Sequence, residues 1–474
     1  MAHVEGNQNS SEGATKGWRQ GMMALLGELK AKLVEVMLKL KKLGEEDPRR
    51  VIHSLKVGLA ITLVSTFYYL DPLYHSFGSS AMWAVFTVIV VSEFSVGATL
   101  GKGLNRGLAT LVAGAMGLGS YYLASSTGDI VQPIILGAVV FLLVAGVTYI
   151  RFFPQMKARY DYGLLVFILT FCLVSVSGNR EDKIIDIAKK RVTSILIGGL
   201  ISVLVCIFVY PIWAGDDLHN LISKNIEKLG NFLEGFGDEY FIEGGECNKS
   251  FLQGYKTVLH SKHAEENLAN FARLEPGHGN FLFRHPWKQY LKIGSLSRQC
   301  AYRIDVLNGF LNSAKTPSQI KSKLQEPCIK MSTETGKALK ELAVAINKMV
   351  PPSVAEQHMT KSKIAAMNLL TTLKIGLFEG TNLVEAIPVV TVASLLVDVV
   401  YCTDKLAESI NELSSLAKFK NKDCKVAPQH LTSPKKKEAQ QPFDCDNSGC
   451  NYVIEINQAA TNLSQIENPQ LLSS

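Results

Sequence analysis

Between Ile130 and Ile150 the chain reads IVQPIILGAVVFLLVAGVTYI, without one charged side chain. A bilayer is crossed by about 20 mostly apolar helical residues, so this stretch alone points to a membrane protein. Working outward, five further apolar runs follow the same reading: Val57–Leu70, Ala81–Val96, Gly107–Ala124, Tyr162–Ser177 and Val192–Trp213. Val57–Leu70, Ala81–Val96 and Tyr162–Ser177 are short and need neighbouring polar, uncharged residues to span. The runs are continuous rather than alternating. That favours helices over a barrel, because a helix satisfies every backbone polar group within its own segment. Six spans place both termini on one side.

The apolar residues are concentrated between Val57 and Gly215, and the average over the chain hides this. Of 474 residues, 47% are hydrophobic and 19% charged, against about 25% charged in soluble domains. Forty-nine Lys and Arg against 42 Asp and Glu leave a net charge of +7, too mild for a dedicated nucleic-acid binder. Collagen, coiled-coil and fully disordered classes are excluded on the same composition. Nine cysteines are scattered without a CxxC pair, so neither a zinc ribbon nor a disulfide framework is indicated. Met1–Lys16 is polar and reads as lacking a signal peptide.

Lys and Arg in the short loops set the orientation. Arg49, Arg50 and Lys56 precede the first span, Lys102 and Arg106 lie in the second connection, and Arg151, Lys157 and Arg159 in the fourth. The opposite loops Asp71–Ser80 and Ser125–Asp129 carry neither residue type. Both termini are therefore expected in the cytosol. One loop departs from the rule: Asn179–Arg191 should face outward yet holds Arg180, Lys183, Lys189, Lys190 and Arg191.

Outside the membrane the pattern changes to that of amphipathic helices. Trp18–Leu43 has helically spaced apolar residues with lysines between them. It is read either as lying on the inner membrane surface or as packing on the cytosolic domain. After Trp213, helices are expected over Asp216–Gly237, Phe251–Phe271, Pro286–Asn312, Gln319–Lys348, Ser362–Phe378 and Ser394–Leu416, with prolines between several of them. Ala386–Val400 is apolar but interrupted by Pro388, and reads as a buried helix rather than a seventh span. From Lys420 the chain is polar and expected to be disordered. The expected organisation is an N-terminal cytosolic segment (1–46), a six-helix pore domain (47–215), a cytosolic helical domain (216–419) and a tail (420–474). The fold class is an all-α membrane protein.

Catalytic constellations are weak. His260, His263, Glu265 and Glu266 do not have the spacing of a catalytic zinc helix, and His278 and His285 flank a Pro/Gly-rich turn in structural fashion. No GxSxG elbow occurs. The reading is of a protein that is not an enzyme and needs no cofactor. Gly97–Gly101 and Gly103–Gly107 are GxxxG pairs that let helices approach closely, within one subunit or across a dimer. The same segment fails as GxGxxG, because Arg106 stands at the last glycine, and fails as a P-loop by one residue.

Ionisable groups beside the apolar runs are the better lead, since charge at membrane depth is costly and faces a cavity or a partner. Glu93 is expected in a salt bridge with Lys102 or Arg106, while Lys189 and Lys190 would snorkel to headgroups. Arg191 is deeper and reads as a pore-lining group. Basic groups without an acidic ring select anions.

Several strings then resemble the plant aluminium-activated malate transporters. They are Asp47-Pro48-Arg49-Arg50, Ala81-Met82-Trp83-Ala84-Val85, the run Glu93–Arg106, Arg151-Phe152-Phe153-Pro154, Asp161-Tyr162-Gly163, Pro211-Ile212-Trp213-Ala214-Gly215 and Phe281–Tyr302. The resemblance covers about Asp47 to Leu416. It implies a plant anion channel, a homodimer with six spans per subunit, a helical cytosolic domain and a pore on the two-fold axis. The family's basic pore positions fall on Arg106 and Arg191, so a dimer would supply four charges, with Lys102 and Lys190 as further anion-binding groups. Malate would be the usual permeant, alongside other organic and inorganic anions. A proton-coupled organic-anion exporter is the alternative. Lipid is an expected partner, and the plasma membrane is favoured over the vacuolar membrane.

Two departures stand out. The family's Trp-Glu-Pro motif is Leu274-Glu275-Pro276 here. Asp182 and Asp186 form the candidate aluminium or cation site, but His75 in the first outer loop would be cationic at acidic pH and repel a trivalent ion. Aluminium is therefore not expected to be the main activator. Thr432 and Ser433, before Pro434 and Lys435–Lys437, are the candidate phosphorylation sites.

Overall fold

The computed structural model describes residues 8–69, 81–128, 130–241, 252–279, 281, 285–311, 318–374 and 383–419, apart from 178–183. Among these the secondary structure is helical, and the one β feature is an isolated bridge between His278 and Phe281. The chain divides into two compact units, Met1–Ile212 and Trp213–Ser474.

Unit 1 contains α1 (Gln8–Glu46), α2 (Pro48–Tyr69), α3 (Ala81–Val91), α4 (Val96–Ser125), α5 (Gln132–Ile150), α6 (Pro154–Ser177) and α7 (Ile184–Phe208). The stretch quoted at the outset becomes α5. It is apolar all round, and of its described side chains only Leu136 is buried, while Ile134, Phe141 and Leu142 point outward. A helix so constituted suits lipid rather than water. Helices α4, α5 and α7 are each long and apolar enough to cross a membrane. The protein is an all-α, multi-pass membrane protein.

Packing within unit 1 centres on two contacts. Helix α4 lies against α6 and α7, and α3 lies against α2 and α7. Ala60, Val64, Ala84, Val88 and Val205 form a small core among α2, α3 and α7. Gly198 permits the α3–α7 approach, since a Cβ there would sit 2.5 Å from the Ala84 carbonyl oxygen. Of the glycines on α4, Gly117 is held against Val174, whereas Gly107, Gly114 and Gly119 have open space where a Cβ would go. The chain breaks between α3 and α4 at residues 92–95, and extended Ser95 caps α4 by accepting the Ala98 N–H at 3.3 Å.

Unit 2 contains α8 (Ala214–Phe241), α9 (Lys256–Leu259), α10 (Lys262–Ala272), α11 (Trp287–Leu311), α12 (Ser318–Lys348), α13 (Ser353–Lys374) and α14 (Leu383–Leu416). Leu218, Ile222, Ile226, Leu229, Leu233 and Phe236 recur at helical spacing on α8 and are fully buried. Each such side chain contributes about 2 kcal/mol by leaving water. Glu275 accepts the N–H groups of Ala214 at 2.7 Å and Gly215 at 3.0 Å, so a remote carboxylate caps α8. Gly230 on α8 and Gly336 on α12 face one another's carbonyls within 3 Å of where a Cβ would stand.

Three sequence expectations change here. The helix expected over Phe251–Phe271 is two helices, α9 and α10, parted by a turn at His260–Ser261. The helix expected from Ser362 begins earlier, at Ser353, and the stretches Ala386–Val400 and Ser394–Leu416 merge into α14 through Pro388. Helix α14 is apolar and long enough to cross a membrane. Its Val389, Val392, Leu396 and Val399 are nevertheless consumed in the unit 2 core.

Candidate functional site

Unit 1 brings the two sequence-predicted arginines into its interior. Arg106, in the third turn of α4, is 6% exposed, and Arg191, near the start of α7, is 8% exposed. The Arg106 guanidinium donates to the Tyr162 hydroxyl at 2.9 Å. The Arg191 guanidinium carbon lies 3.2 Å over the centre of the Trp83 ring. Both Nε atoms are buried without a hydrogen-bond partner, and neither arginine pairs with a carboxylate among the described residues. The two side chains are near enough for their like charges to oppose one another.

This is an unusual use of buried charge. A buried cation is ordinarily matched by an acid, because desolvation is otherwise uncompensated. Here aromatic groups hold the guanidiniums, Tyr162 taking one N–H of Arg106 and Trp83 a face of Arg191, and the Nε–H of each is left without a partner among the described residues. Trp83 occupies only a face of Arg191 and takes none of the N–H groups in the guanidinium plane. Such a pair is suited to an anion that arrives, shares the charge and leaves.

Lys102 lies one turn from Arg106, half exposed, paired with Glu93 and 5.9 Å from the Tyr162 ring centre. Tyr162 therefore touches both basic groups of α4. The expected Glu93 salt bridge forms with Lys102, not with Arg106. Lys190 is exposed, like Lys189, and does not join the buried arginines. Arg151 and Asp161 pair at 2.7 Å. Sequence reasoning missed Lys56, which is 4% exposed with an unpartnered Nζ. The sequence reading uses it only for orientation, as a charge preceding the first span, yet its place immediately before an apolar run is a usable signal. Trp83 and Tyr162 were read only as parts of strings, not as partners of the arginines.

Asp182, His75, Thr432 and Ser433 lie outside the described residues, as does the side chain of Asp186. Gly103 packs near Val91 at 3.5 Å from a notional Cβ, so its close neighbour is within the chain.

The sequence profile described as "Aluminium activated malate transporter" matches residues 41–382. The chain is 53% identical over 399 residues to aluminum-activated malate transporter 2 of Arabidopsis thaliana, covering 82% of this chain and 80% of that protein. The chain belongs to the aluminium activated malate transporter family. Aluminum-activated malate transporter 1 of Arabidopsis thaliana is 50% identical (82% of each chain), and the Triticum aestivum protein of the same name 43% identical (80% and 84%). All of the basic residues of unit 1 discussed above fall inside the stretch that this malate transporter family matches, whereas most of α1 precedes it.

Within unit 2 the histidines are structural. His260 and His263 are exposed, and His263 bonds Asn267 at 3.1 Å rather than forming a metal cluster with its neighbours. No group of three or more His, Cys, Asp or Glu among the described residues is arranged to hold a metal ion. His219 meets the Tyr290 hydroxyl at 2.7 Å, and His285 donates through Nε2 to the Gly215 carbonyl at 3.1 Å. Burial holds His285 down to about 4 and also lowers His219, so both are neutral near pH 7. His278 stacks on Trp213 with ring centres 3.8 Å apart.

Proposed function

We propose that this protein is an anion channel that passes malate and other organic or inorganic anions across a plant membrane. It would act as a homodimer, with Arg106 and Arg191 of each subunit lining a pore on the two-fold axis. Helices α2 to α7 would be the six spans, residues 216–419 a cytosolic domain, and the plasma membrane the favoured location. The observation that carries this reading is the pair of buried guanidiniums with aromatic partners and no described acidic partner. A buried positive site of this kind lowers the cost of dehydrating an anion and repels cations. Family membership supports malate as the permeant and a transport role rather than catalysis. The basic loops support an orientation with both termini in the cytosol.

Purified full-length protein in proteoliposomes provides the test. Labelled malate should enter in response to an imposed membrane potential at equal pH on both sides. Uptake that requires a proton gradient would instead support the exporter. Absence of malate uptake under either condition would overturn both.

A further inference from the structure

Helix α1 carries an apolar face that unit 1 does not cover. Leu29, Leu33, Val36, Met37, Leu40 and Leu43 are each 43–66% exposed. At 100° per residue these six fall in a single arc. Lys30 and Lys41 border that arc on one side, and Lys32 and Lys39 border it on the other. Glu35 and Glu45 lie on the back of the helix, with Lys42, Val34 and Leu38, and Glu28 and Glu46 stand just beyond Lys39, outside the apolar arc. Cations at both margins and acids away from the apolar face are the arrangement that suits a negatively charged interface: lysine stems extend the apolar surface, and their ammonium groups reach the headgroups.

We propose that α1 lies flat on an anionic lipid surface, with its apolar arc in the headgroup–acyl boundary and Lys30, Lys32, Lys39 and Lys41 on lipid phosphates. Two observations favour lipid over a second copy of the helix. Leu29, Leu33, Val36, Leu40 and Leu43 would also serve as the seam of a paired coil. The positions flanking that seam, however, are Lys32 and Lys39 on one side and Lys30, Met37 and Gly44 on the other. Within Leu29–Leu43 no acid flanks the seam, and Glu46, in register with Lys32 and Lys39, stands only at the last residue of α1, so a partner helix supplies little interchain pairing for these lysines, whereas a phosphate surface supplies counter-charge to both margins. The second observation is continuity. Only Asp47 separates α1 from α2, and a Cβ on Gly44 would stand 3.0 Å from Val51 on α2. Helix α2 entering the bilayer therefore delivers the last turn of α1 to the interface.

Lys32 pairs with Glu28 at 3.2 Å and Lys39 with Glu35 at 2.7 Å, both exposed. Exposed pairs of this kind hold their partners weakly and exchange readily for headgroups. The family match begins at residue 41, so all of this face but Lys41 and Leu43 lies outside the matched stretch. The proposal rests on α2 entering the membrane and not on the identity of the permeant.

The test compares full-length protein in nanodiscs of phosphatidylcholine alone and of phosphatidylcholine with phosphatidylserine, reading amide hydrogen exchange over Leu29–Leu43. Phosphatidylserine should slow exchange there by at least about tenfold, with unit 2 unchanged as an internal control. The combined variant Lys30→Gln, Lys32→Gln, Lys39→Gln and Lys41→Gln should lose that increment. Equal exchange in the two lipids, or an increment that survives in the variant, overturns the proposal. So does protection indifferent to lipid together with efficient intersubunit disulfide formation by Leu33→Cys, which assigns the face to a second copy. Malate flux measured on the same preparation reports separately on the transport reading.

Discussion

Replacing Arg191 by Ala removes a guanidinium that is 8% exposed, sits over Trp83 and is opposed by Arg106. Because no described carboxylate pairs with it, the substitution strands no buried acid. The usual penalty for breaking a buried ion pair is thus absent, and the variant should fold and reach the membrane as well as the parent. Its effect falls on the permeating ion. One unit charge at about 4 Å attracts a monovalent anion by about 4 kcal/mol at an effective dielectric near 20, and by about 1 kcal/mol in water. In a wetted pathway the lower figure applies, and a dianion doubles it to about 2 kcal/mol. Malate current should then fall about 30-fold and chloride current about fivefold, lowering the malate-to-chloride ratio by about fivefold. Arg106→Ala should behave alike. Arg191→Lys should recover part of the current, since it keeps the charge and loses the planar fork. Trp83→Leu should fall between, with the charge present and its support gone. Currents normalised to surface protein give the answer. Normal malate conduction by both alanine variants would refute the reasoning. So would equal loss for both anions, or failure to fold, which would mark the arginines as structural.

Arg298→Ala is the contrasting case. It strands Glu265, which is fully buried and otherwise receives Ser261 at 2.6 Å, so denaturant unfolding should show a loss of about 3–5 kcal/mol, partly recovered by adding Glu265→Gln. Gly198→Ala should reduce folded yield by driving a methyl group into the Ala84 carbonyl, while Gly199→Ala, with open space at its Cβ, should not; size-exclusion profiles of the two compare them directly. Burial lowers His285 in the folded state to about 4, so the unfolded chain binds the extra proton. Its contribution is present above the unfolded value near 6.5 and is lost as pH falls toward 4, about 2 kcal/mol between pH 7 and pH 5. Chemical denaturation of unit 2 at the two pH values, with His285→Gln losing part of the difference, checks this.

Hydropathy made the membrane class legible because α5 is apolar on every face, and a helix of that kind has few alternatives. Periodicity likewise exposed α8, where Leu218, Ile222, Ile226 and Leu229 recur at helical spacing. The position of Arg191 at the edge of an uncharged run singled it out, as did that of Arg106. What the sequence could not supply was pairing in space. Trp83 and Arg191 are far apart along the chain, and nothing local marks their stacking. Tyr162 is likewise remote from Arg106, 56 residues along the chain. Lys56 shows the same limit from the other side: a lysine at the edge of an apolar run looks alike whether it snorkels outward or turns inward. The α9–α10 break has no local mark, since neither glycine nor proline stands between Tyr255 and Glu275 and the buried positions at the turn are the polar Ser261 and Glu265. The close approach at Gly198 has no dense glycine pattern to mark it, whereas several glycines of the denser α4 set meet nothing among the described residues.

The most direct test of passive anion conduction is the reversal potential of purified full-length protein in a planar bilayer, with a malate gradient and identical pH on both sides. Current should flow without any proton gradient and reverse at the malate equilibrium potential. Current that appears only when a proton gradient is imposed, or a reversal potential that follows the proton gradient, would contradict the account.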